Sequence, residues 1–186
     1  MMYIMQHVKV PDDRIGVLIG RGGETMREIE KRAEVRLDID SESGNVRIEK
    51  VGDPVKGLKG PDIVKAIGRG FAPEDALRLL DDDMMMFDVL DIGAAARNRN
   101  DLQRHKGRLI GEDGRTRQLM EELTGASVMI YGSTLSTIGG PREVQAVRDA
   151  AEMILDGAPH GAVYSFLEEK RNELKHKGME YHPYQG

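Results

Sequence analysis

The sequence predicts an α+β protein made of two copies of one unit, β-α-(glycine turn)-α-β-β-α, followed by a further helix. Three observations carry that expectation. First, the chain repeats itself at an offset of roughly ninety residues. Gly16, Leu18, Ile19, Gly20, Gly23, Thr25 and Glu30 fall on Gly107, Leu109, Ile110, Gly111, Gly114, Thr116 and Glu121, and Leu37 and Ile39 fall on Val128 and Ile130. Second, each copy holds a glycine turn, "LIGRGGE" and "LIGEDGR", between an apolar stretch and an amphipathic one. Third, apolar spacing changes between two and three-to-four residues in the same order in both halves.

In the first copy "YIMQHVKV" alternates as a strand does, Tyr3 and the valines favouring extended backbone. Pro11 and Asp12 open a short helix that runs to the turn. Beyond it Met26, Ile29 and Ala33 recur at helical spacing, so "ETMREIEKRAE" is a predicted amphipathic helix. Val35, Leu37 and Ile39 share one face of a strand, with Arg36 and Asp38 on the other. "SESGN" is a turn and "VRIEKV" the returning strand. A helix is expected from near Pro61, carrying Ile63, Val64 and Ile67, and "APEDALRLL" restarts helix after Gly70.

The second copy gives a strand "FDVLDI", a helix near 98–106, the second turn, a helix "TRQLMEEL", and strands "SVMIYG" and "LSTIGG". From Pro141 a helix places Val144, Val147, Ala151, Ile154 and Leu155 on one stripe. A last helix, about 161–177, gathers Val163, Phe166, Leu167 and Leu174 and is expected to dock on one of the domains. The acidic triplet in "LDDDMMMF" marks the boundary, giving domains 1–83 and 84–186. Met84, Met85 and Met86 are expected to enter the following strand and pack in the core.

The 186 residues suit two small domains. Cysteine is absent, which excludes disulfides and thiolate metal sites and makes the cytoplasm the default compartment. No apolar run approaches the roughly 20 residues that span a bilayer, and the N-terminal stretch lacks the features of a secretory signal. The net charge of −5 argues against indiscriminate coating of nucleic acid, but not against local basic faces. Two windows, 14–36 and 97–117, are locally positive, and each contains a glycine turn.

Two helices joined through G-x-x-G present the amides at the start of the second helix to solvent, where their partial positive charge attracts anions. The glycines let a phosphodiester backbone approach closely. Such a loop clamps about four single-stranded nucleotides, with their bases on an adjacent apolar groove. Leu18, Ile19, Ile110 and the 35–39 strand are candidates to line it; Arg27, Arg36, Arg108, Arg115 and Arg117 are candidate phosphate contacts. At 4% aromatic residues, base stacking is not the expected main source of affinity.

"IGVLIGRGGETMREIEKRAEVRLDI" and "GRLIGEDGRTRQLMEELTGASVMIYG" resemble KH domains of the type found in eukaryotes and archaea. With "DIVKAIGRGF", "ALRLLDDD" and "ILDGAPHGAVYSFLE", the tandem resembles the archaeal branch of the small-ribosomal-subunit assembly factors related to the partner of the Nob endonuclease. The resemblance implies two type I KH domains, each a three-stranded sheet covered by helices. It implies binding to single-stranded rRNA near the 3′ end of the small-subunit rRNA, help in trimming the precursor, and contact with that endonuclease and a translation initiation factor. It also implies phosphate clamps at Gly20, Arg21, Gly22 and Gly23 and at Gly111, Glu112, Asp113 and Gly114. The acidic middle pair of the second loop departs from the family pattern, so the Arg21 loop is expected to hold phosphate more tightly.

No cofactor or catalytic constellation is predicted, and the chain is expected to be a monomer. The histidines His7, His105, His160, His176 and His182 lack metal-ligand spacing and read as surface or capping residues. A regulatory RNA-binding adaptor in translation or decay is the alternative function. A nuclease using Asp81, Asp82 and Asp83 with a metal is a third.

Overall fold

Alternating strands and amphipathic helices fold here into two three-stranded sheets, each with its own helical layer. The computed structural model of the chain describes residues 5–179, with side chains to 176; Tyr3 and His182 lie outside the described residues. The chain divides into two compact units, Met1–Phe87 and Asp88–Gly186.

In the first unit β1 (Gln6–Lys9), β2 (Val35–Ile39) and β3 (Asn45–Lys50) form an antiparallel sheet in the order β1-β3-β2. Its inner face buries Val8, Val35, Leu37, Val46 and Ile48. The outer face carries the cross-strand ion pairs Arg47–Asp38 at 2.6 Å and Arg36–Glu49 at 3.9 Å. Helices α1 (Asp12–Ile19) and α2 (Glu24–Ala33) flank the glycine turn.

Helix α3 (Pro54–Gly68) starts well before the expected Pro61, which lies inside it. Asp53 caps it by accepting from the Val55 amide at 2.8 Å, and Pro54 occupies the first turn, where its missing N–H costs nothing. The glycines of "KGLKGP", which precede the expected start, are poor helix formers. Their small size is used against the sheet: a Cβ at Gly60 would lie 2.9 Å from Val35 Cγ1, and one at Gly57 2.8 Å from Lys50 Cγ. Tertiary packing thus overrides propensity. After α3 come α4 (Pro73–Leu77) and a 3₁₀ turn, Arg78–Leu80. Arg14 staples α1 to the end of α3, donating to the carbonyls of Ile67 and Phe71, each at 2.8 Å.

The 81–86 segment differs from expectation. Asp82 turns it by accepting from the Met84 amide at 2.8 Å, and the Lys59 ammonium donates to the carbonyls of Asp83 and Met85. Only Met86 of the three methionines enters a strand. Met84 and Met86 are exposed at 64% and 38%, so this run does not pack in the core.

The second unit contains β4 (Met86–Asp91) on its sheet, a short α5 (Ile92–Ala95), α6 (Arg99–Ile110), α7 (Arg115–Thr124), β5 (Ser127–Tyr131), β6 (Thr134–Gly139) and α8 (Pro141–Leu155). The sheet order is β4-β6-β5, the same permutation as the first. Arg148 on α8 grips Asp88 on β4 through two 2.9 Å hydrogen bonds. Helix α9 (His160–Met179) docks on α7 and α8 and buries Val163 and Leu167 in the core formed by Leu109, Met120, Val128, Leu135 and Ile154. No described helix is long and apolar enough to cross a membrane.

Candidate RNA interface

The two glycine turns have nearly the same backbone. Gly20 has φ 72, ψ 177 and Gly111 φ 77, ψ 170; Gly23 has φ 79, ψ 15 and Gly114 φ 75, ψ 12. The amides of Gly20 and Gly111 donate to the carbonyls of Gly16 and Gly107 at 2.9 Å in both copies. Those of Gly23 and Gly114 donate to Gly20 and Gly111 at 3.2 and 3.1 Å. The conserved spacing of the repeat is therefore a set of backbone requirements. At Gly20 and Gly111 the chain adopts a region that side chains avoid, and an added Cβ would lie 2.2 or 2.3 Å from the hydroxyl of Thr25 or Thr116.

The matched glutamates have a matched task. Glu30 Oε1 accepts from the Leu37 amide and Glu121 Oε1 from the Val128 amide, both at 2.9 Å, tying α2 and α7 to the strands that follow. Neither α2 nor α7 has a side-chain cap at its N-terminus, whereas α3 and α6 have Asp53 and Asn98. The first amides of these ten-residue helices, Glu24 and Arg115, donate to the loop carbonyls of Arg21 and Glu112, and no side chain caps the helix starts, whose partial positive charge attracts an anion.

Charge separates the loops. In the first, Arg21 and Arg27 are both exposed and make no ion pair among the described residues. Arg27 reaches back over the turn: a Cβ on Gly23 would lie 3.0 Å from its Nη1. In the second, Glu112, Asp113 and Arg115 are exposed. Asp113 holds φ 52 where Gly22 holds φ 58, so the loop accepts a carboxylate there at a small backbone cost.

Several residues expected at this surface lie elsewhere. Leu18 is fully buried, as is Leu109, because the last turn of α1 aims it into the core; it does not line a groove. Ile19 and Ile110, half-exposed beside the turns, remain. Arg108 turns inward and donates to the carbonyls of Ile154 and Ala158, stapling α6 to the end of α8. Arg117 pairs with Glu121 at 3.2 Å. Two of the candidate phosphate contacts are thus engaged within the domain. Arg36 projects from the outer face of the first sheet, where it pairs with Glu49.

His105 is buried, not at the surface: 4% exposed, with no hydrogen bond to Nδ1 and with Nε2 3.6 Å from Asp101 Oδ2. Asp101 and Asn98 form a reciprocal cap, Asn98 accepting from the Asp101 amide and Asp101 from the Arg97 amide. The Arg97 amide, then Arg104, hold the Asp101 carboxyl below its ordinary pKa. The described residues contain no cluster of three His, Cys, Asp or Glu able to hold a metal.

Residues 86–172 match the eukaryotic-type (type I) KH domain, in the form of the second domain of PNO1 proteins, and residues 5–79 match the KH domain. A KH domain-containing protein of Methanocaldococcus jannaschii is 44% identical over 176 residues, covering 93% of this chain and 77% of that protein. This chain belongs to the tandem KH-domain family of PNO1 and archaeal Dim2p. Pre-rRNA-processing protein pno1 of Emericella nidulans is 32% identical over 150 residues, which span 78% of this chain and 58% of that relative's length. The crystal structure of Dim2p from Pyrococcus horikoshii is 44% identical, covers 89% of this chain and 99% of its own, and superposes with a TM-score of 0.83. A complex of a/eIF2α, aDim2p and rRNA from the same organism gives 43% identity, coverage of 91% and 95%, and a TM-score of 0.85. The α+β fold of two KH units with a C-terminal helix is thus the fold of the PNO1/Dim2p family.

Proposed function

We propose that this protein binds single-stranded RNA as a small-subunit pre-rRNA processing factor, holding the RNA backbone on the amides of its two glycine loops. The observation that carries the reading is the duplicated turn: nearly the same dihedral angles and the same hydrogen bonds in both units, each leaving the positive start of a ten-residue helix without a side-chain cap. Main-chain donors at a helix start recognise phosphate irrespective of base, and Ile19 and Ile110 offer apolar contact to bases beside them. The names of its relatives, pre-rRNA-processing proteins and a Dim2p bound with rRNA, support small-subunit rRNA as the RNA.

Gly20, Arg21, Gly22, Gly23, Arg27 and Ile19 form the stronger contact; Ile110, Gly111, Gly114 and Arg115 form the weaker one, opposed by Glu112 and Asp113. The RNA is the 3′ end of the small-subunit rRNA. Initiation factor 2α and the Nob-type endonuclease are its protein partners, the protein acts as a cytoplasmic monomer, and it cleaves nothing itself. Sequencing of RNA crosslinked to the protein in cells tests the assignment: enrichment at the 3′ end of small-subunit rRNA is expected. Enrichment of messenger RNA instead would make it a regulatory adaptor. Magnesium-dependent cleavage lost on Asp82→Asn would make it a nuclease.

A further inference from the structure

The two loops share a backbone but not a support. Helix α9 reaches the second loop on both sides with one turn of helix. His160 Nε2 lies 2.9 Å from the carbonyl of Arg108, in the last turn of α6 before the loop. A carbonyl only accepts, so Nε2 carries the proton. That carbonyl belongs to the helix end, where the following residues leave helical geometry and acceptors go unused. Tyr164, one turn further along α9, places its hydroxyl 2.9 Å from Thr116 Oγ1, in the first turn of α7 after the loop.

Thr116 is fully buried, and its hydroxyl is the atom against which Gly111 rests, 2.3 Å from where a Cβ would stand. The contact therefore runs from Tyr164 through Thr116 to the first glycine of the turn. The imidazole and the phenol sit 5.9 Å apart on the same face of α9, and Val163 and Leu167 fix that helix in the core. Arg108 strengthens the grip from the other direction, donating to the carbonyls of Ile154 and Ala158 immediately before α9 begins. In the first unit the corresponding Val17 carbonyl and Thr25 hydroxyl have no such side-chain partner among the described residues.

We propose that His160 and Tyr164 are positioning residues for the second loop, holding the end of α6 and the start of α7 at the separation that keeps the loop's amides convergent on one phosphate. The first loop has three glycines and a cation of its own. The second has carboxylates and a strained Asp113, and α9 supplies the rigidity that its own side chains do not. The C-terminal helix is in this sense part of the RNA site, without touching RNA. The proposal rests on the reading of the second loop as a phosphate clamp.

The test uses the full chain and reads each loop separately. Amide exchange is followed by NMR at Gly111 and Gly114, whose N–H groups donate within the loop, with Gly20 and Gly23 as controls in the first. Tyr164→Phe and His160→Ala are each expected to speed exchange at Gly111 and Gly114 by about three- to tenfold, the worth of one hydrogen bond, and to leave Gly20 and Gly23 unchanged. His160→Gln keeps a donor within reach of the Arg108 carbonyl and is expected to restore slow exchange. The dissociation constant for a short single-stranded RNA is expected to rise by a similar factor in the first two variants. Unchanged exchange at Gly111 and Gly114 in both would overturn the proposal, as would an equal rise at Met120 and Val147, which signals general loosening of the domain. If exchange responds as expected but binding is indifferent even to Gly114→Asp, the clamp by α9 stands and the RNA reading of that loop falls.

Discussion

Adding one methyl group to Gly20 is expected to damage the first unit far more than adding it two residues later. At Gly20 the backbone sits at φ 72, ψ 177, a region all but closed to side chains, which costs about 1–3 kcal/mol. The new Cβ would also lie 2.2 Å from Thr25 Oγ1, 2.7 Å from Thr25 Cβ and 2.8 Å from the Thr25 backbone nitrogen. A hydroxyl rotates away; a backbone nitrogen does not, so the start of α2 must shift by several tenths of an ångström, adding about 1–3 kcal/mol of overpacking. At Gly22, with φ 58, ψ 23, nothing lies within 4 Å of an added Cβ, and only the left-handed conformation is penalised, by about 1 kcal/mol. Asp113 occupies the same position in the second copy. Gly20→Ala is therefore expected to lose about 2–6 kcal/mol, a large share of a domain stability of about 5–15 kcal/mol, and Gly22→Ala about 1. Hydrogen–deuterium exchange of α2 and β3 peptides in the full chain reports the stability of the first unit by itself. Anisotropy with a short labelled RNA reports the clamp. Equal protection in the two variants would refute the steric account, and unchanged RNA affinity in a folded Gly20→Ala protein would remove the first loop from the site.

Giving the second loop the charge of the first, by Glu112→Arg with Asp113→Gly, is expected to tighten RNA binding about thirtyfold, since each of the two carboxylates removed, about 4 Å from a phosphate, costs about 1 kcal/mol in water-like surroundings; weaker binding on titration would contradict the charge ranking. Arg21→Asp is expected to cost more affinity than Arg115→Asp in the same assay, the reverse order counting against a dominant first loop. With about four phosphates per unit, the logarithm of affinity is expected to fall against that of salt with a slope of roughly −3 to −6, and a flat response would exclude a phosphate clamp. Asp62 on α3 has its pKa raised by burial, against the opposing charges of Lys65 and Lys59. A raised folded-state pKa means stability present below the unfolded value and lost as pH rises through the folded one. Asp62→Asn is therefore expected to gain stability over wild type as pH rises through that range, and urea midpoints that stay parallel would show that Asp62 does not matter.

The order of strands and helices was legible because each element has its own apolar period, and the repeat confirmed each assignment with a second copy. The start of α3 was not, because Gly57 and Gly60 look like chain breakers until the sheet that needs their small size is in place. In the site, the glycines and Thr25/Thr116 could be placed by the repeat, since their roles are local to the turn. Leu18 and Arg108 were misassigned for a shared reason: adjacency in sequence to a loop does not say which way a helical side chain points. Ile19 and Leu18 differ by one step of about 100° around α1, enough to put one at the surface and the other in the core. The support from His160 and Tyr164 depends on residues about 50 apart in sequence meeting in space, and no pattern of spacing announces it.

Main-chain donors make the twin turns resistant to one common experiment. Trimming side chains to alanine leaves every amide of the cradle in place, so such a survey would credit Arg21 and Arg27 and pass over the donors themselves. The informative substitutions here add atoms, a methyl at Gly20 or a carboxylate at Gly111, and a survey built on gain of bulk would map a different, larger footprint.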